Sequence, residues 1–263
     1  MITSPANKKV KEVRALFEKA ALRTERGLFP VEGVRMFLEA PPDEIQELYV
    51  SESFAARAAG EVQEKLQAFG AEAVADNIFT KMSGTKTPQG VLALIRMRRK
   101  TLAEVLAAGA DCFLAVESLQ DPGNLGTMLR AGEGAGLSAI LANRGTVDIY
   151  NPKGIRATMG SIFRIPVVYA EDFPAALQTL CAQHFSLYAA ALQASVPYDS
   201  ARYPEKTVFL IGNEAAGLSK VAIAAAKQSI YIPMAGQVES LNAAVAASIL
   251  LYERARQRRK ETR

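Results

Sequence analysis

The stretch from Val208 to Glu253 limits the possible folds most, because it twice leads a short apolar run into a loop of small and polar residues. Val208 to Ile211 is apolar throughout, as expected of a strand buried on both faces, and Gly212 follows where a sharp exit needs backbone freedom. Ser229 to Ile232 repeats the pattern, and Pro233 closes it. In open α/β sheets, ligands bind beyond the carboxyl ends of the strands. The two loops are therefore the predicted ligand site.

A helix is predicted after the second loop. Leu241, Val245, Ile249 and Tyr252 recur at helical spacing, and Ser240 is placed as the N-cap. Strand, loop and helix thus follow in order.

The first loop does not match a triphosphate-binding loop. Gly212 and Gly217 have the required glycine spacing, but Leu218 and Ser219 stand where such a loop needs Lys followed by Ser or Thr. The carboxylate of Glu214 would also repel a triphosphate, while it suits a cationic or hydroxyl-bearing ligand.

Two other nucleotide-binding patterns are disfavoured. The glycines of Gly132–Gly136 follow a helix instead of opening one, so they are typical of a helix C-terminus and turn. A methyltransferase of the Rossmann-like type needs a Gly-rich loop after the strand that ends at Glu117, where this chain has Ser118 to Asp121.

Composition excludes several classes of function. The 263 residues allow two domains, and no run approaches the roughly 20 apolar residues of a membrane span. The start of the chain lacks the apolar core of a signal peptide, so a cytoplasmic protein without a membrane partner is expected. Two cysteines and one histidine are too few for a zinc site, and we expect neither a metal nor histidine acid/base chemistry.

The net charge of +4 is unevenly placed. Basic residues form three clusters, which are Lys8, Lys9, Lys11, Arg14, Lys19, Arg23 and Arg26; Arg96, Arg98, Arg99 and Lys100; and Arg254 to Arg263. Each cluster alone is compatible with a solvated helix face. The three together indicate a polyanionic partner.

Alternating apolar patterns predict two α/β domains. Ser4 and Pro5 are the expected cap and first position of an N-terminal helix. Its apolar stripe comprises Val10, Val13, Leu16 and Phe17. Strands and helices then alternate to Ile95, with one helix from Phe54 to about Leu66.

The domain boundary is placed in a charged passage without periodicity. We predict a smaller α/β domain at 1–96, a linker at 97–101, and a second domain at 102–263. The second domain is expected to contain a mostly parallel sheet covered by helices.

Three ordered segments resemble the SpoU-type, TrmH-like family of RNA ribose 2′-O-methyltransferases in the SPOUT superfamily. They run from Asp121 to Arg130, from Ile211 to Leu218, and from Ile232 to Asn242. Lys153, Arg156, Gly160 and Ser161 resemble the family's intervening segment. The N-terminal part is similar to the substrate-binding domain often fused ahead of it. Ala131, Gly132 and Ala244 depart from the family, which commonly has hydroxyl residues there.

The resemblance implies a fold, an activity and partners. The C-terminal backbone would form a deep trefoil knot, S-adenosylmethionine would lie bent among the knot loops, and the active form would be a homodimer. The expected activity is methyl transfer to a ribose 2′-hydroxyl, with ribosomal RNA favoured by the N-terminal domain. The alternatives are a tRNA 2′-O-methyltransferase and a non-catalytic RNA-binding protein on the same fold.

The resemblance also assigns roles to residues. The catalytic set is Arg130, Asn124, Glu214, Ser240 and Asn242. The cofactor-binding set is Gly212, Gly217, Ile232, Met234, Leu241 and Asn242. The RNA-binding set is Lys8, Lys9, Lys11, Arg14, Arg23, Arg26, Arg130 and Arg156.

Asn124 is alternatively a helix N-cap. A guanidinium is hardly ever deprotonated, so Arg130 is expected to orient and stabilise, and the general base is left open.

Overall fold

A computed structural model describes residues 1–191 and 195–261. Its contacts divide the chain into two compact units, each formed by two stretches of sequence. The first unit comprises Met1–Arg98 and Tyr150–Phe163, and the second comprises Arg99–Ile149 and Arg164–Arg263. The sequence-based boundaries at 96 and 102 remain a prediction, and they did not anticipate that Tyr150–Phe163 packs with the first unit.

The elements are numbered in chain order. The helices are α1 Lys8–Glu18, α2 Ala20–Arg26, α3 Val34–Glu39, α4 Glu52–Arg57, α5 Gly60–Phe69, α6 Asp76–Met82, α7 Leu102–Ala107, α8 Pro122–Gly134, α9 Pro152–Thr158, α10 Phe173–Ala182, α11 Lys220–Ala225 and α12 Ala243–Glu261. The strands are β1 Leu28–Glu32, β2 Ile45–Ser51, β3 Glu72–Val74, β4 Val91–Arg96, β5 Cys112–Val116, β6 Ala139–Asn143, β7 Val167–Ala170, β8 Ser186–Ala190, β9 Ser195–Pro197, β10 Thr207–Ile211 and β11 Gln228–Tyr231. Short 3-10 helices lie at Pro42–Glu44 and Ser161–Phe163.

The first unit is built on a sheet of order β1-β4-β2-β3. β4 pairs antiparallel with β1 and β2, whereas β2 and β3 are parallel. Val10, Val13 and Leu16 of α1 pack against one face of this sheet, which confirms the predicted stripe. On the other face, Ile155 of α9 joins the core around Phe29. The core contact of Ile155 explains why its segment folds with this unit.

Two helix boundaries in the first unit differ from the prediction. α1 begins at Lys8 instead of Pro5, because the side chain of Asn7 accepts from the N–H of Lys9 at 2.8 Å. The helix predicted from Phe54 to Leu66 is split into α4 and α5. Ala58 is extended there and Gly60 has a φ of +58°, so the helix cannot continue through them.

The second unit is built on a sheet of order β7-β6-β5-β10-β8-β11-β9, and every neighbouring pair is parallel. This confirms the expected parallel sheet. β5 and β10 lie inside the sheet and are buried at every position, as continuous apolar runs require. The polar loop expected after β8 contains β9 and also residues 192–194, which lie outside the described residues.

The predicted apolar face of α12 is wrong. Its buried apolar side chains, among the described residues, are Ala243, Ala244, Ala247, Leu250 and Leu251. Of the predicted stripe, Val245 and Tyr252 are 46% and 47% exposed. α12 packs on α8, where a Cβ added to Gly134 would lie 2.7 Å from the Tyr252 hydroxyl.

Candidate active site

The loops after β5 and β10 are joined at the carboxyl edge of the second sheet. Ile211 lies beside Val116 in the parallel register, and its carbonyl accepts from the N–H of Glu117 at 2.9 Å. The Glu117 carboxylate accepts from the N–H of Ser219 at 2.8 Å. These bonds hold the end of the β10 loop against the end of β5.

The β10 loop is a tight turn closed by Asn213 and Gly217. Their backbones exchange hydrogen bonds of 3.1 and 2.9 Å, and Gly217 has a left-handed φ of +69°. A Cβ added to Gly212 would lie 2.2 Å from the carbonyl carbon of Gly217. Gly212 is thus required by close backbone approach, and Gly217 is the predicted turn residue. This turn places Glu214 near its tip.

A chain of side-chain hydrogen bonds links three segments at this edge. Asn124 Nδ2 donates to Glu214 Oε1 at 3.0 Å, and Asn242 Nδ2 donates to Asn124 Oδ1 at 3.0 Å. The three residues come from α8, the β10 loop and the start of α12. We call this set the Glu214–Asn124–Asn242 chain. Because both polar ends of the Asn124 amide are engaged, its orientation is fixed.

The helix caps at the site differ from those predicted. Asp121, not Asn124, caps α8, because the Asp121 carboxylate accepts from the N–H of Asn124 at 2.9 Å. Asn242, not Ser240, caps α12 by accepting from the N–H groups of Ala244 and Val245 at 2.9 and 3.3 Å. The side chain of Asn124 is therefore available to the site, and that of Asn242 both caps and donates.

Arg130 is exposed on α8 and is not part of the Glu214–Asn124–Asn242 chain. It follows Asn124 by six residues, which at about 100° per residue places the two side chains about 120° apart around the helix. Within 1–191 and 195–261, the structure gives its guanidinium no hydrogen-bond or ion-pair partner. Arg130 therefore faces outward from a different side of α8.

The segment after β11 has features of a small-molecule site. Ile232, Met234 and Leu241 are half-buried in a stretch without helix or strand. Among the described residues, no backbone N–H from 234 to 241 donates to another backbone group. Half-buried apolar side chains next to open backbone donors are the usual lining of a cofactor pocket.

The basic residues predicted to bind RNA differ in availability. Arg23 is a correction, because it is 2% exposed and its guanidinium donates to the carbonyls of Leu16 and Phe17 at 2.9 and 3.4 Å. It closes the end of α1 and cannot reach a phosphate. Other members of the set form ion pairs at exposed positions, namely Lys9 with Glu72, Arg14 with Glu18, and Arg26 with Glu12. Lys8, Lys11 and Arg156 are exposed.

Sequence reasoning missed a second polar cluster at the same edge. Ser118 has a φ of +58°, and its N–H donates to Asn143 Oδ1 at 2.8 Å. Asn213 Nδ2 donates to the Ser118 carbonyl at 2.8 Å. The cluster fixes the turn after β5. Asn143 is the last residue of the otherwise apolar β6, and Asn213 lies two residues after the apolar β10. A polar residue at the carboxyl end of an apolar strand is the signal that could have revealed them.

Comparison with known proteins agrees with this architecture. Residues 111–252 match the SpoU rRNA Methylase family, and residues 7–93 match the MRM3-like substrate binding domain. The two matches correspond to a methylase domain and to a substrate-binding domain that precedes it in the sequence. The chain belongs to the SpoU rRNA methylase family.

Individual relatives match over nearly the whole chain. The chain is 35% identical over 253 residues to the 23S rRNA (guanosine(2553)-2′-O)-methyltransferase RlmP of Bacillus subtilis, covering 95% of this chain and 97% of the relative. The structure of the SpoU methyltransferase AviRb from Streptomyces viridochromogenes in complex with AdoMet is 26% identical with a TM-score of 0.83, covering 96% of this chain and 98% of that chain. An AdoMet-bound rRNA methyltransferase from Sinorhizobium meliloti is 30% identical with a TM-score of 0.82, covering 97% of both chains.

Proposed function

We propose that this protein transfers a methyl group from S-adenosylmethionine to a ribose 2′-hydroxyl of ribosomal RNA. The observation that carries the proposal is the Glu214–Asn124–Asn242 chain, which joins residues of three family segments at one sheet edge. Ribosomal RNA is preferred to transfer RNA because the Bacillus relative, matched over nearly its full length, is named for 23S rRNA.

The loops fit S-adenosylmethionine. The open backbone groups of 234–241 suit the hydrogen-bonding edge of an adenine, and Ile232, Met234 and Leu241 offer apolar contact. The carboxylate of Glu214, which disfavours a triphosphate, is compatible with a cationic sulfonium. When bound, the cofactor supplies a methyl group already activated by that sulfonium. Gly212 and Gly217 shape the loop beside it.

The protein's own residues then have to align the hydroxyl and stabilise the developing charge. The fixed amide of Asn124, held between Glu214 and Asn242, would position the ribose. Arg130, outward-facing on α8, would bind the phosphate of the target nucleotide and stabilise negative charge on the ribose oxygen. Ser240, exposed in the preceding loop, would add a polar contact.

The homodimer and the knot belong to the same proposal. Val245 and Tyr252 lie one heptad apart on α12, and such exposed apolar side chains on one helix face suit a second copy of the chain. The knot in the C-terminal part is inferred from the match of residues 111–252 to the SpoU family. No helix in the described part of the chain is both long and apolar enough to cross a membrane. A cytoplasmic location remains a prediction.

Titration calorimetry tests the cofactor assignment. We expect heat of binding with S-adenosylmethionine and with its demethylated product, and none with ATP or NAD, because the β10 loop lacks the phosphate-loop lysine. Tight ATP binding without any response to S-adenosylmethionine would contradict the proposal.

A further inference from the structure

We propose that a groove of the first unit binds the phosphate backbone of the RNA substrate. This inference rests on the proposed function. The groove lies between α1, α6 and α9 and has a volume of about 530 Å³. That volume is in the range of about 300 to 1,000 Å³ that holds organic ligands, so the groove can hold a nucleotide and not only an ion.

The groove is strongly basic. Arg14, Lys81, Lys153 and Arg156 line it against a single carboxylate, Glu18. Glu18 is engaged by Arg14, whose Nε lies 3.1 Å from its oxygen. In the part of the chain that the structure describes, Lys81 and Arg156 have no ion-pair partner. An excess of cations on converging elements favours a polyanion such as RNA.

One wall of the groove is held in a fixed position. Glu32 accepts from Ser83 Oγ at 2.8 Å, from Thr85 Oγ1 at 2.6 Å and from the Gly84 N–H at 3.2 Å. A Cβ added to Gly84 would lie 2.5 Å from Phe17, so the glycine lets this loop lie against the ring. Phe17 is half-buried and also lines the groove, where an aromatic face can stack on an unpaired base.

The groove joins residues that the sequence separates. Lys153 and Arg156 lie within the stretch matched by the methylase family, and the match to the substrate-binding domain ends at residue 93. Both nevertheless belong to the first unit through α9. The proposed RNA-binding groove is therefore discontinuous in sequence. It contains Arg14 and Arg156 of the RNA-binding set predicted from sequence, but not Lys8, Lys9 or Lys11.

The test measures binding of poly(U) RNA by the full-length protein at several salt concentrations. We expect the variant Lys81→Gln/Arg156→Gln to flatten the slope of log affinity against log salt by about 1.4, since each lost contact to single-stranded RNA removes about 0.7. Lys81→Arg/Arg156→Lys should restore the slope, because the charges return. Arg57→Gln/Lys206→Gln removes the same charge from exposed positions outside the groove and should leave the slope unchanged.

A fourth variant, Lys8→Gln/Lys11→Gln, tests the lysine face predicted from sequence. The proposal that the groove binds RNA is contradicted if the slope flattens only in this variant. It is also contradicted if the Arg57→Gln/Lys206→Gln control flattens the slope as much as Lys81→Gln/Arg156→Gln does. Failure of the proposed function is separately visible. If the slope depends on the groove residues but the wild-type protein transfers no methyl group to ribosomal RNA, the proposed methyltransferase activity is contradicted. RNA binding by the groove would still be supported.

Discussion

Asn124 is the central residue of the candidate site, because its side-chain amide both donates to Glu214 and accepts from Asn242. The sequence placed all three residues in the site through the family resemblance. It could not show that Asn124 links the other two, since an N-cap role suited the same position equally well. Asp121, three residues earlier, takes the cap and decides the question.

Replacing Asn124 with Ala should lower kcat about tenfold or more while leaving S-adenosylmethionine affinity nearly unchanged. A net hydrogen bond contributes about 1 kcal/mol or slightly more, and about 1.4 kcal/mol is a tenfold change in rate. Steady-state methyl-transfer kinetics and calorimetry provide the two readouts.

A double-mutant cycle provides the control. Asn124→Ala and Asn242→Ala should be non-additive because the side chains are bonded. Gln120 lies at the same edge but bonds the carbonyls of Ser118 and Gly145, so Gln120→Ala should combine additively with Asn124→Ala. Additivity in both pairs would mean that the Glu214–Asn124–Asn242 chain has no role in the reaction.

Arg130→Ala should reduce methyl transfer by on the order of a hundredfold or more with cofactor affinity intact, because a charge-assisted contact made mainly in the transition state is lost. Arg130→Lys should recover part of the rate, since it keeps the charge but not the planar fork. Single-turnover kinetics measure both variants. If Arg130→Ala transferred the methyl group at a rate within a fewfold of that of the wild type, Arg130 would have no catalytic role.

At the scale of elements, predictions succeeded where burial determines the residue pattern. β5 and β10 were found from continuous apolar runs, because strands covered on both faces need them. α11 was missed, since six residues rich in alanine carry no amphipathic pattern. The buried face of α12 was assigned to Leu241, Val245, Ile249 and Tyr252, whereas its buried apolar side chains are three alanines together with Leu250 and Leu251.

Two glycines of the β10 loop should respond differently to substitution. Gly217→Ala should lower the free energy of unfolding by about 1 to 2 kcal/mol, because alanine is strained at positive φ while nothing lies within 4 Å of its Cβ. Gly212→Ala should also abolish S-adenosylmethionine binding, because its Cβ would overlap backbone at 2.2 Å. Thermal unfolding and calorimetry distinguish the two effects.

Gly217→Asn is the matched control, since asparagine tolerates the left-handed region better than alanine. It should retain more stability than Gly217→Ala. If Gly212→Ala bound the cofactor as wild type does, the β10 loop would not form part of the pocket.

At the scale of the whole molecule, the parallel sheet and the presence of two α/β parts were predictable from alternation. The packing of Tyr150–Phe163 with the first unit was not, because it depends on contacts such as that of Ile155 with a distant core. The burial of Arg23 was missed for the same reason, since a charge cluster in sequence does not reveal which guanidinium turns inward.

The proposed dimer predicts that Val245→Glu weakens self-association at least about a hundredfold. An unpaired charge buried in an apolar interface costs several kcal/mol. Sedimentation equilibrium measures the dissociation constant. Val221→Glu, at a 57% exposed position on α11, is the control and should leave it unchanged. Unaltered association of Val245→Glu would place any dimer interface elsewhere.

The central claim is tested most directly by incubating purified protein with methyl-labelled S-adenosylmethionine and ribosomal RNA from cells that lack the gene, then digesting the RNA to nucleosides. We predict label on the ribose 2′-oxygen of a nucleoside from ribosomal RNA, and on the order of a hundredfold less label with the Arg130→Ala protein. Label on a base, or no transfer to ribosomal RNA while transfer RNA is methylated, would contradict it.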